Sequence, residues 1–207
     1  MNDRHEARNR QRFAATGTIS LNCETSPGSG KTKRLVSAIA VRADPAPVAV
    51  IEGDQQTSVD ADRIGAAGDP VVRFNSGLGC HVGARMVGHA LDRLPAMTRG
   101  FWFIEIDGNL VCPAAFDFGE AANVAIVSVA DGDDKPLKYP DIFAAASVIL
   151  VNRIDLAPHV DTTVVGLIAN PSRVNLHVDV PTVFARSGER REARLAWLGA
   201  QRMCWAG

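Results

Sequence analysis

The sequence predicts an α/β fold in which a mainly parallel sheet carries helices on both faces. Short β-branched or apolar runs alternate with helix-like segments along most of the chain, which is the rhythm of strand–helix–strand units. The length of 207 residues suits one α/β domain, or a small domain with a short arm. A glycine-rich loop also stands between the first predicted strand and a helix-like run.

The predicted elements follow one another in chain order. Strands are predicted where Val, Ile, Phe or Leu dominate a short run, namely at 18–22, 48–51, 71–74, 101–105, 124–129, 148–152 and 178–184. Helices are predicted in the segments between them, at 31–42, 57–66, 82–93, 141–146, 161–169 and 189–202. Ligands of such sheets bind at the carboxyl ends of the strands, so the residues that follow each strand are the functional candidates.

The first 15 residues or so form a polar, Arg-rich segment without glycine. Arg4, Arg8, Arg10 and Arg12 stand there among a few acidic residues. Blocks of mixed charge usually face water, so we expect a solvated helical arm. The predicted organisation is this arm at 1–15, followed by a nucleotide-binding domain at 16–207.

Composition and charge exclude several classes of protein. Lys and Arg number 22 against 23 Asp and Glu, and this net charge of −1 gives no overall attraction to nucleic acid or to a membrane surface. The apolar runs are far too short to span a bilayer, and the polar start is not a secretory signal. Four cysteines in a chain of this length do not indicate a disulfide scaffold. We therefore expect a cytoplasmic protein.

The loop at 25–32 predicts a phosphate-binding site. It reads T-S-P-G-S-G-K-T, close to the pattern G-x-x-x-x-G-K-S/T, with Thr25 in the place of the first glycine. Glycines let backbone N–H groups of such a loop turn towards an anion, and the following helix N-terminus adds positive charge. Lys31 would contact the outer phosphates and the Thr32 hydroxyl would ligate Mg²⁺. The predicted nucleotide-binding residues of this loop are Gly28, Ser29, Gly30, Lys31 and Thr32. The alternative is a glycine-rich turn that merely precedes a helix.

A second candidate site follows the strand predicted at 148–152. Asn152 and Asp155 fit the pattern N-K-x-D, in which the aspartate accepts hydrogen bonds from N1–H and N2–H₂ of guanine. Arg153 replaces the lysine of the pattern, and its planar guanidinium is not equivalent to an ammonium group. The sequence therefore predicts guanine recognition, the alternative being a polar strand end that caps a turn.

Acidic residues follow two further strands. Phosphoryl transfer needs a metal opposite the phosphates and a group that positions the attacking water. Asp54, Glu105 and Asp107 could each serve, and we single out Asp54 and Glu105, with Lys31, as the catalytic candidates. An acidic residue at a strand end is equally common as a helix N-cap, which is the alternative for Asp54.

Cysteine and histidine residues lie in two of the loops that follow strands. Cys80 and His81 come after the third predicted strand, and Cys112 comes after the fourth. Thiolate and imidazole ligands suit Ni²⁺, Zn²⁺ and Cu ions. Three ligands leave a four-coordinate shell incomplete, whereas a two-fold dimer would bring two such sets together. The alternative is that these cysteines are small buried apolar residues.

Several longer segments together resemble the HypB family of GTPases, which help to insert nickel into nickel–iron hydrogenase. The segments are SPGSGKT (26–32), VIEGDQQT (50–57), GCH (79–81), GNLVCPAAFDFGE (108–120) and DDKPLKYPDIFAAAS (133–147). The resemblance extends from about Asn9 to Gln201. It implies a SIMIBI-like P-loop GTPase that binds GTP or GDP and Mg²⁺, hydrolyses GTP slowly and forms a nucleotide- and metal-dependent homodimer.

The resemblance also implies a metal site and partners. Cys80, His81 and Cys112 would bind Ni²⁺ or Zn²⁺. The partners would be a small zinc-containing nickel chaperone and the precursor of the hydrogenase large subunit, and the function would be nickel delivery during hydrogenase maturation. Arg153 and the loop at 184–190 depart from the family pattern, and both positions bear on base recognition.

Two other functions fit parts of the sequence. Because of these departures, the chain could be a nucleotide-dependent switch protein with little hydrolysis. A P-loop kinase with Asp54 as the base is a further alternative, although no acceptor pocket is evident in the sequence.

Overall fold

A computed structural model describes residues 2–25, 46–54, 71–75, 83–106, 117–176 and 178 of the chain. Its strands are β1 (Ile19–Thr25), β2 (Val48–Asp54), β3 (Val71–Asn75), β4 (Phe101–Ile106), β5 (Ala122–Ser128) and β6 (Val148–Asn152). The helices within these residues are α1 (Asn2–Thr16), α2 (Ala84–Arg93), α3 (Lys135–Lys138), α4 (Pro140–Ala145) and α5 (Val164–Val174). Two 3₁₀ turns, Val129–Asp131 and Ile154–His159, follow β5 and β6. No helix within the described ranges is long and apolar enough to cross a membrane.

The six strands form one sheet in the order β3-β2-β4-β1-β5-β6, and every pairing is parallel. β1 therefore lies in the interior of the sheet, between β4 and β5. The chain returns to the same edge before each strand, so all six carboxyl ends meet at the opposite edge. This confirms the parallel sheet that the alternation of elements predicts.

The core is divided between the two faces of the sheet. On one face, alternate residues of β1, β2, β4, β5 and β6 form an apolar layer that includes Leu21, Phe103 and Ile126. On the other face, α1 and α2 cover β2 and β4, while α4 and α5 cover β5 and β6. Helices α1, α2, α4 and α5 thus pack on this second face, which we call the helix face.

The strand predictions for 18–22, 48–51, 71–74, 101–105, 124–129 and 148–152 are confirmed, with shifts of up to three residues at their ends. The helices predicted at 82–93, 141–146 and 161–169 correspond to α2, α4 and α5. Helix α5 continues through Pro171 because that residue and Leu167 are buried on its inner side. The sequence reasoning missed α3 and the two 3₁₀ turns, since elements so short carry no periodicity. The helices predicted at 31–42, 57–66 and 189–202 lie outside the described residues, as does the strand at 178–184 apart from residue 178.

The helix predicted for the amino-terminal segment is confirmed as α1, but only one of its faces is solvated. Phe13 is buried against the ring of Trp102 on β4, with 6.4 Å between the ring centroids. The side-chain amide of the buried Asn9 donates to the carbonyl oxygens of Ala84 (2.8 Å) and Phe118 (2.9 Å). The expectation of a solvated arm is thus wrong for the face with Asn9 and Phe13, because these residues fit a groove between α2 and the segment before β5. The division of the chain at residue 16 stays a prediction.

The segment before β5 is shaped to receive α1. Gly119 has a φ of +89°, and a Cβ there would lie 2.6 Å from the carbonyl oxygen of Glu6. A glycine is therefore required both by the backbone conformation and by the close approach of the helix. Arg10 adds a 2.6 Å ion pair with Asp117 at the surface of the same contact. This contact holds the segment at 117–121 at the amino edge of the sheet.

Asn9→Ala tests whether α1 is an integral part of the domain. Truncation leaves two buried carbonyl oxygens without their donor, so we expect the free energy of unfolding to fall by about 1–3 kcal/mol. Urea denaturation measures this change. Arg8→Ala, on the exposed side of the same helix, is the control and should change stability by less than about 0.5 kcal/mol. Equal stability of the Asn9→Ala variant and the wild type would contradict the packing described.

Candidate functional site

The candidate site lies at the edge of the sheet where the strands end. Thr25, Asp54, Ile106, Ser128 and Asn152 are the last residues of β1, β2, β4, β5 and β6. In the strand order, β2 lies on one side of the neighbouring pair β1 and β5, and β6 lies on the other side. The connections that follow β1 and β5 therefore lead in opposite directions along the sheet. Connections that diverge from neighbouring strands open a crevice at their carboxyl ends, which is where ligands bind in such sheets.

The structure describes only part of the predicted site. Glu105 and Asn152 lie within the described residues with their side chains, while for Asp54 and Asp155 only the backbone is described. The other predicted site residues fall outside the described ranges: Gly28, Ser29, Gly30, Lys31, Thr32, Cys80, His81, Asp107 and Cys112. Their roles therefore stay predictions.

The end of β6 is built as a sharp turn that presents the side chain of Asn152. Its Oδ1 accepts a hydrogen bond from the backbone N–H of Arg153 at 2.8 Å. Arg153 itself adopts the left-handed conformation, with φ 56° and ψ 40°, and a 3₁₀ turn that contains Asp155 follows. Only the oxygen of an amide can accept from N–H, so the turn fixes the orientation of the amide group. The –NH₂ group of Asn152 is thus directed away from the Arg153 N–H.

Two buried carboxyl groups lie side by side near the ends of β2 and β4. Glu105 pairs in register with Glu52 on one side and with Cys23 of β1 on the other. Glu52 is fully buried and Glu105 is 3% exposed, on the face of the sheet opposite the helix face. The sequence reasoning chose Asp54 after β2 and missed Glu52. The signal was an acidic residue directly after the apolar run VAVI.

Cys23 is a core residue rather than a reactive thiol. Its side chain is buried in the apolar layer on the face of the sheet opposite the helix face. Burial raises the pKa of its thiol far above the ordinary value, and the neighbouring carboxyl groups of Glu105 and Glu24 raise the pKa further. A thiol that stays protonated is a poor metal ligand and a poor nucleophile.

Glu24 is a second buried carboxyl group that the sequence reasoning did not single out. It is the penultimate residue of β1, directly before the phosphate-loop motif, and is 6% exposed. Its Oε1 accepts from Nδ2 of Asn22 at 3.1 Å, and the same Nδ2 lies 3.0 Å from Oδ1 of Asn123 on β5. Burial raises the pKa of Glu24 to about 7, against the opposing effect of the hydrogen bond from Asn22. The group thus titrates near neutral pH.

The segment 133–140, which carries much of the family resemblance, is held against α5. Asn170 donates from Nδ2 to the carbonyl oxygen of Asp133 at 2.6 Å, and Thr163 donates from Oγ1 to Oδ2 of Asp133 at 3.2 Å. Lys135 lies 5.4 Å from the centre of the Tyr139 ring. The segment is therefore a fixed part of the domain on the β6 side of the sheet.

Metal ligation is not tested by the described residues. Within the ranges that the structure covers, no group of three or more His, Cys, Asp or Glu side chains could hold a metal ion. Cys80, His81 and Cys112, the predicted Ni²⁺ or Zn²⁺ ligands, lie outside those ranges.

Comparison with known proteins places this chain in a family. The family described as "CobW/HypB/UreG, nucleotide-binding domain" matches residues 21–179, which include all six strands from Leu21 onward. Hydrogenase maturation factor HypB of Azotobacter vinelandii is 55% identical over 201 residues, which cover 97% of this chain and 66% of that protein. The HypB of Escherichia coli K12 is 49% identical and is matched over 97% of this chain and 69% of its own length.

A solved structure agrees with these matches. The crystal structure of HypB from Helicobacter pylori in complex with nickel has a TM-score of 0.88 to this chain at 29% identity, covering 99% of this chain and 96% of that one. The chain spans just under two thirds of the length of the Azotobacter relative. The sheet, the residues matched and these identities show that the chain belongs to the HypB group of the CobW/HypB/UreG family of nucleotide-binding proteins.

Proposed function

We propose that the protein is a GTP-hydrolysing metallochaperone that delivers nickel during the maturation of nickel–iron hydrogenase. The observation that carries the nucleotide part of the proposal is the position of Asn152 relative to the end of β1. One strand, β5, separates β1 from β6. The end of β1, where the phosphate-loop motif begins, therefore lies about 10 Å from the end of β6, where Asn152 lies. That separation is comparable with the distance from the phosphates to the base of a bound nucleotide.

Guanine selection would come from the turn after β6. The Asn152 amide, whose oxygen is held by the Arg153 N–H, offers its –NH₂ group to an acceptor on the base. Asp155 follows within the same turn and would accept from N1–H and N2–H₂ of guanine. Adenine offers no such pair of donors, so this arrangement favours GTP and GDP.

Hydrolysis would depend on positioning and charge neutralisation. Lys31 would contact the outer phosphates, while the Thr32 hydroxyl and the carboxylates at the ends of β2 and β4 would supply the oxygen ligands that Mg²⁺ prefers. Bound Mg²⁺ supplies neutralisation of the charge on the phosphate oxygens. Asp54 or Glu105 would orient the attacking water, and the burial of Glu105 would hold its carboxylate in one position.

Nickel would be the cargo of the protein. Cys80, His81 and Cys112 offer the thiolate and imidazole ligands that suit Ni²⁺ or Zn²⁺, and a two-fold dimer would complete the coordination shell. The nickel-bound HypB structure from Helicobacter pylori supports this assignment. The proposed partners are a second copy of the chain, a small zinc-containing nickel chaperone and the precursor of the hydrogenase large subunit, in the cytoplasm.

One observation favours a second candidate, a nucleotide-dependent switch with little hydrolysis. Arg153, which replaces the lysine of the guanine pattern, is half-buried in the turn between Asn152 and Asp155. A guanidinium is broader than an ammonium group and would change how tightly this turn closes on the base. Tight GTP binding with hydrolysis at the background level would favour the switch.

Lys31→Ala separates hydrolysis from metal binding. Loss of the ammonium group removes charge stabilisation at the outer phosphates, so we expect GTP hydrolysis to fall by at least about a hundredfold. Phosphate release at saturating GTP measures this, and titration with Ni²⁺ should give a nearly unchanged metal affinity. Lys138→Ala, at an exposed surface ion pair with Asp134, is the matched control and should leave both activities intact. Complete loss of metal binding by Lys31→Ala would contradict the separation of roles.

Cys112→Ala tests the metal site. We expect the variant to bind Ni²⁺ and Zn²⁺ at least about tenfold more weakly, because one of three ligands is lost. Metal titration with GDP or a non-hydrolysable GTP analogue, followed by light scattering, measures affinity and dimer formation together. Cys23→Ala is the matched control, since that buried thiol is not a proposed ligand. Equal affinities of the Cys112→Ala variant and the wild type would refute the assignment.

A further inference from the structure

The central strand of the sheet carries a row of polar side chains into the core. Ser20, Asn22 and Glu24 alternate along β1 and are all buried on the helix face. The row lies between two apolar clusters, one centred on β2 and β4 and the other on β5 and β6. Polar groups are rarely buried in an interior strand without a partner or a function. Glu24, at the carboxyl end of the row, is the member next to the proposed nucleotide site.

The amide of Asn22 is incompletely paired. Its Nδ2 serves both Glu24 and Asn123, whereas its buried Oδ1 has no hydrogen-bond partner among the described residues. A carboxylic acid and a primary amide can pair through two parallel bonds, with N–H donating to one carboxyl oxygen and O–H donating to the amide oxygen. An ionised carboxylate can form only the first of these bonds. Oδ1 of Asn22 is thus a candidate acceptor for a proton on Glu24, because it belongs to the same amide that already donates to Oε1 of Glu24.

Among the residues that the structure describes, the groups that act on the pKa of Glu24 include no cation that would favour its charged form. Its register neighbours are Ala125 on β5 and, by extension of the β1–β4 pairing, Ile106 on β4. Within the described residues, the helix-face side chains around it are neutral, and the nearest carboxyl group in register, that of Glu105, points to the opposite face. Lys31, a cation of the adjacent motif, lies outside the described residues. Burial accordingly raises the pKa of Glu24 to about 7.

We propose that Glu24 is a positioning residue for the nucleotide and that it binds a proton when a nucleoside di- or triphosphate occupies the loop that follows β1. The inference rests on the nucleotide-binding part of the proposed function and deepens it. A carboxylate directly before the phosphate loop would repel the phosphates in a poorly screened environment. The neutral acid removes that repulsion and completes the pair with Asn22, which fixes the end of β1 where the loop begins.

The direction of the pH dependence follows from linkage. If bound nucleotide stabilises the neutral acid, it raises the pKa of Glu24, and protonation must raise nucleotide affinity by the same factor. Affinity is then highest below pH 7 and falls as the pH rises through the pKa values of the free and bound forms. A rise of one unit in the bound state lowers affinity by about fivefold between pH 6 and pH 8.

The experiment is calorimetric titration of the wild type and of Glu24→Gln with GDP at pH 6, 7 and 8. Each titration is repeated in two buffers of different ionisation enthalpy, which reports the protons taken up. The terminal phosphate of GDP titrates in the same range, so the Gln variant supplies the reference profile. Glu120→Gln is the matched control. Burial also raises the pKa of Glu120 to about 7, but that residue precedes β5 at the opposite edge of the sheet.

We expect the affinity of the wild type and of Glu120→Gln to fall about fivefold more steeply with pH than that of Glu24→Gln. Glu24→Gln should also lack the corresponding proton uptake. Identical pH profiles of Glu24→Gln and the wild type, with GDP bound by both, would overturn the role of Glu24 and leave the proposed function standing. No GDP binding by the wild type at any pH would overturn both.

A second measurement uses the wild-type protein alone, so it does not depend on whether a variant folds. The carboxyl carbon resonance of Glu24 in the wild type should titrate near neutral pH, and its midpoint should move upward when GDP is bound. An unchanged or lowered midpoint in the GDP complex would contradict the proposal even if Glu24→Gln proved unstable.

Discussion

The parallel pairing of β1 between β4 and β5 is the constraint on which the rest of the structure depends. It places the carboxyl ends of strands that are distant in the sequence at one edge of the sheet. The end of β1, which the phosphate-loop motif follows in the sequence, and the turn at Asn152 are thereby brought to that edge. The helices on the helix face stabilise this arrangement. Helix α1 does so through Phe13, which packs in the core against β2 and β4, and through Asn9, which binds the segment before β5.

Burial and charge oppose one another at this edge. Three carboxyl groups are buried near the carboxyl ends of interior strands, where water does not solvate them. They belong to Glu24, Glu52 and Glu105. An isolated buried carboxylate is costly, so such groups are expected to be neutral, hydrogen-bonded or close to a cation. Glu24 meets this requirement by a raised pKa and an amide partner. The proposed uptake of a proton by Glu24 on nucleotide binding would use this same property, because a polyanionic ligand at the end of β1 would favour the neutral acid.

The periodicity of the sequence was sufficient to predict the parallel sheet, because six apolar runs and the helices between them have distinct periods. It could not predict that α1 packs on the domain, because the residues that contact Asn9 and Phe13 are distant in the sequence. The motifs identified the family, which the comparisons confirmed. Glu24 and Glu52 were missed because a single acidic residue in a strand has no spacing pattern, and its importance comes from burial and from cross-strand neighbours. Arg153 was noticed as a departure, but its left-handed backbone is a property of the folded turn.

The most direct test of the account is the base selectivity of nucleotide binding at the end of β6. Affinities for GDP, ADP and XDP should be measured by competition for the wild type and for Asp155→Asn. The account predicts that the wild type prefers GDP over ADP by at least about a hundredfold, because the site is built to pair with groups that adenine lacks. It also predicts that Asp155→Asn loses GDP affinity and gains XDP affinity, since an amide can donate to the additional carbonyl of xanthine. Equal binding of GDP and ADP by the wild type would contradict it.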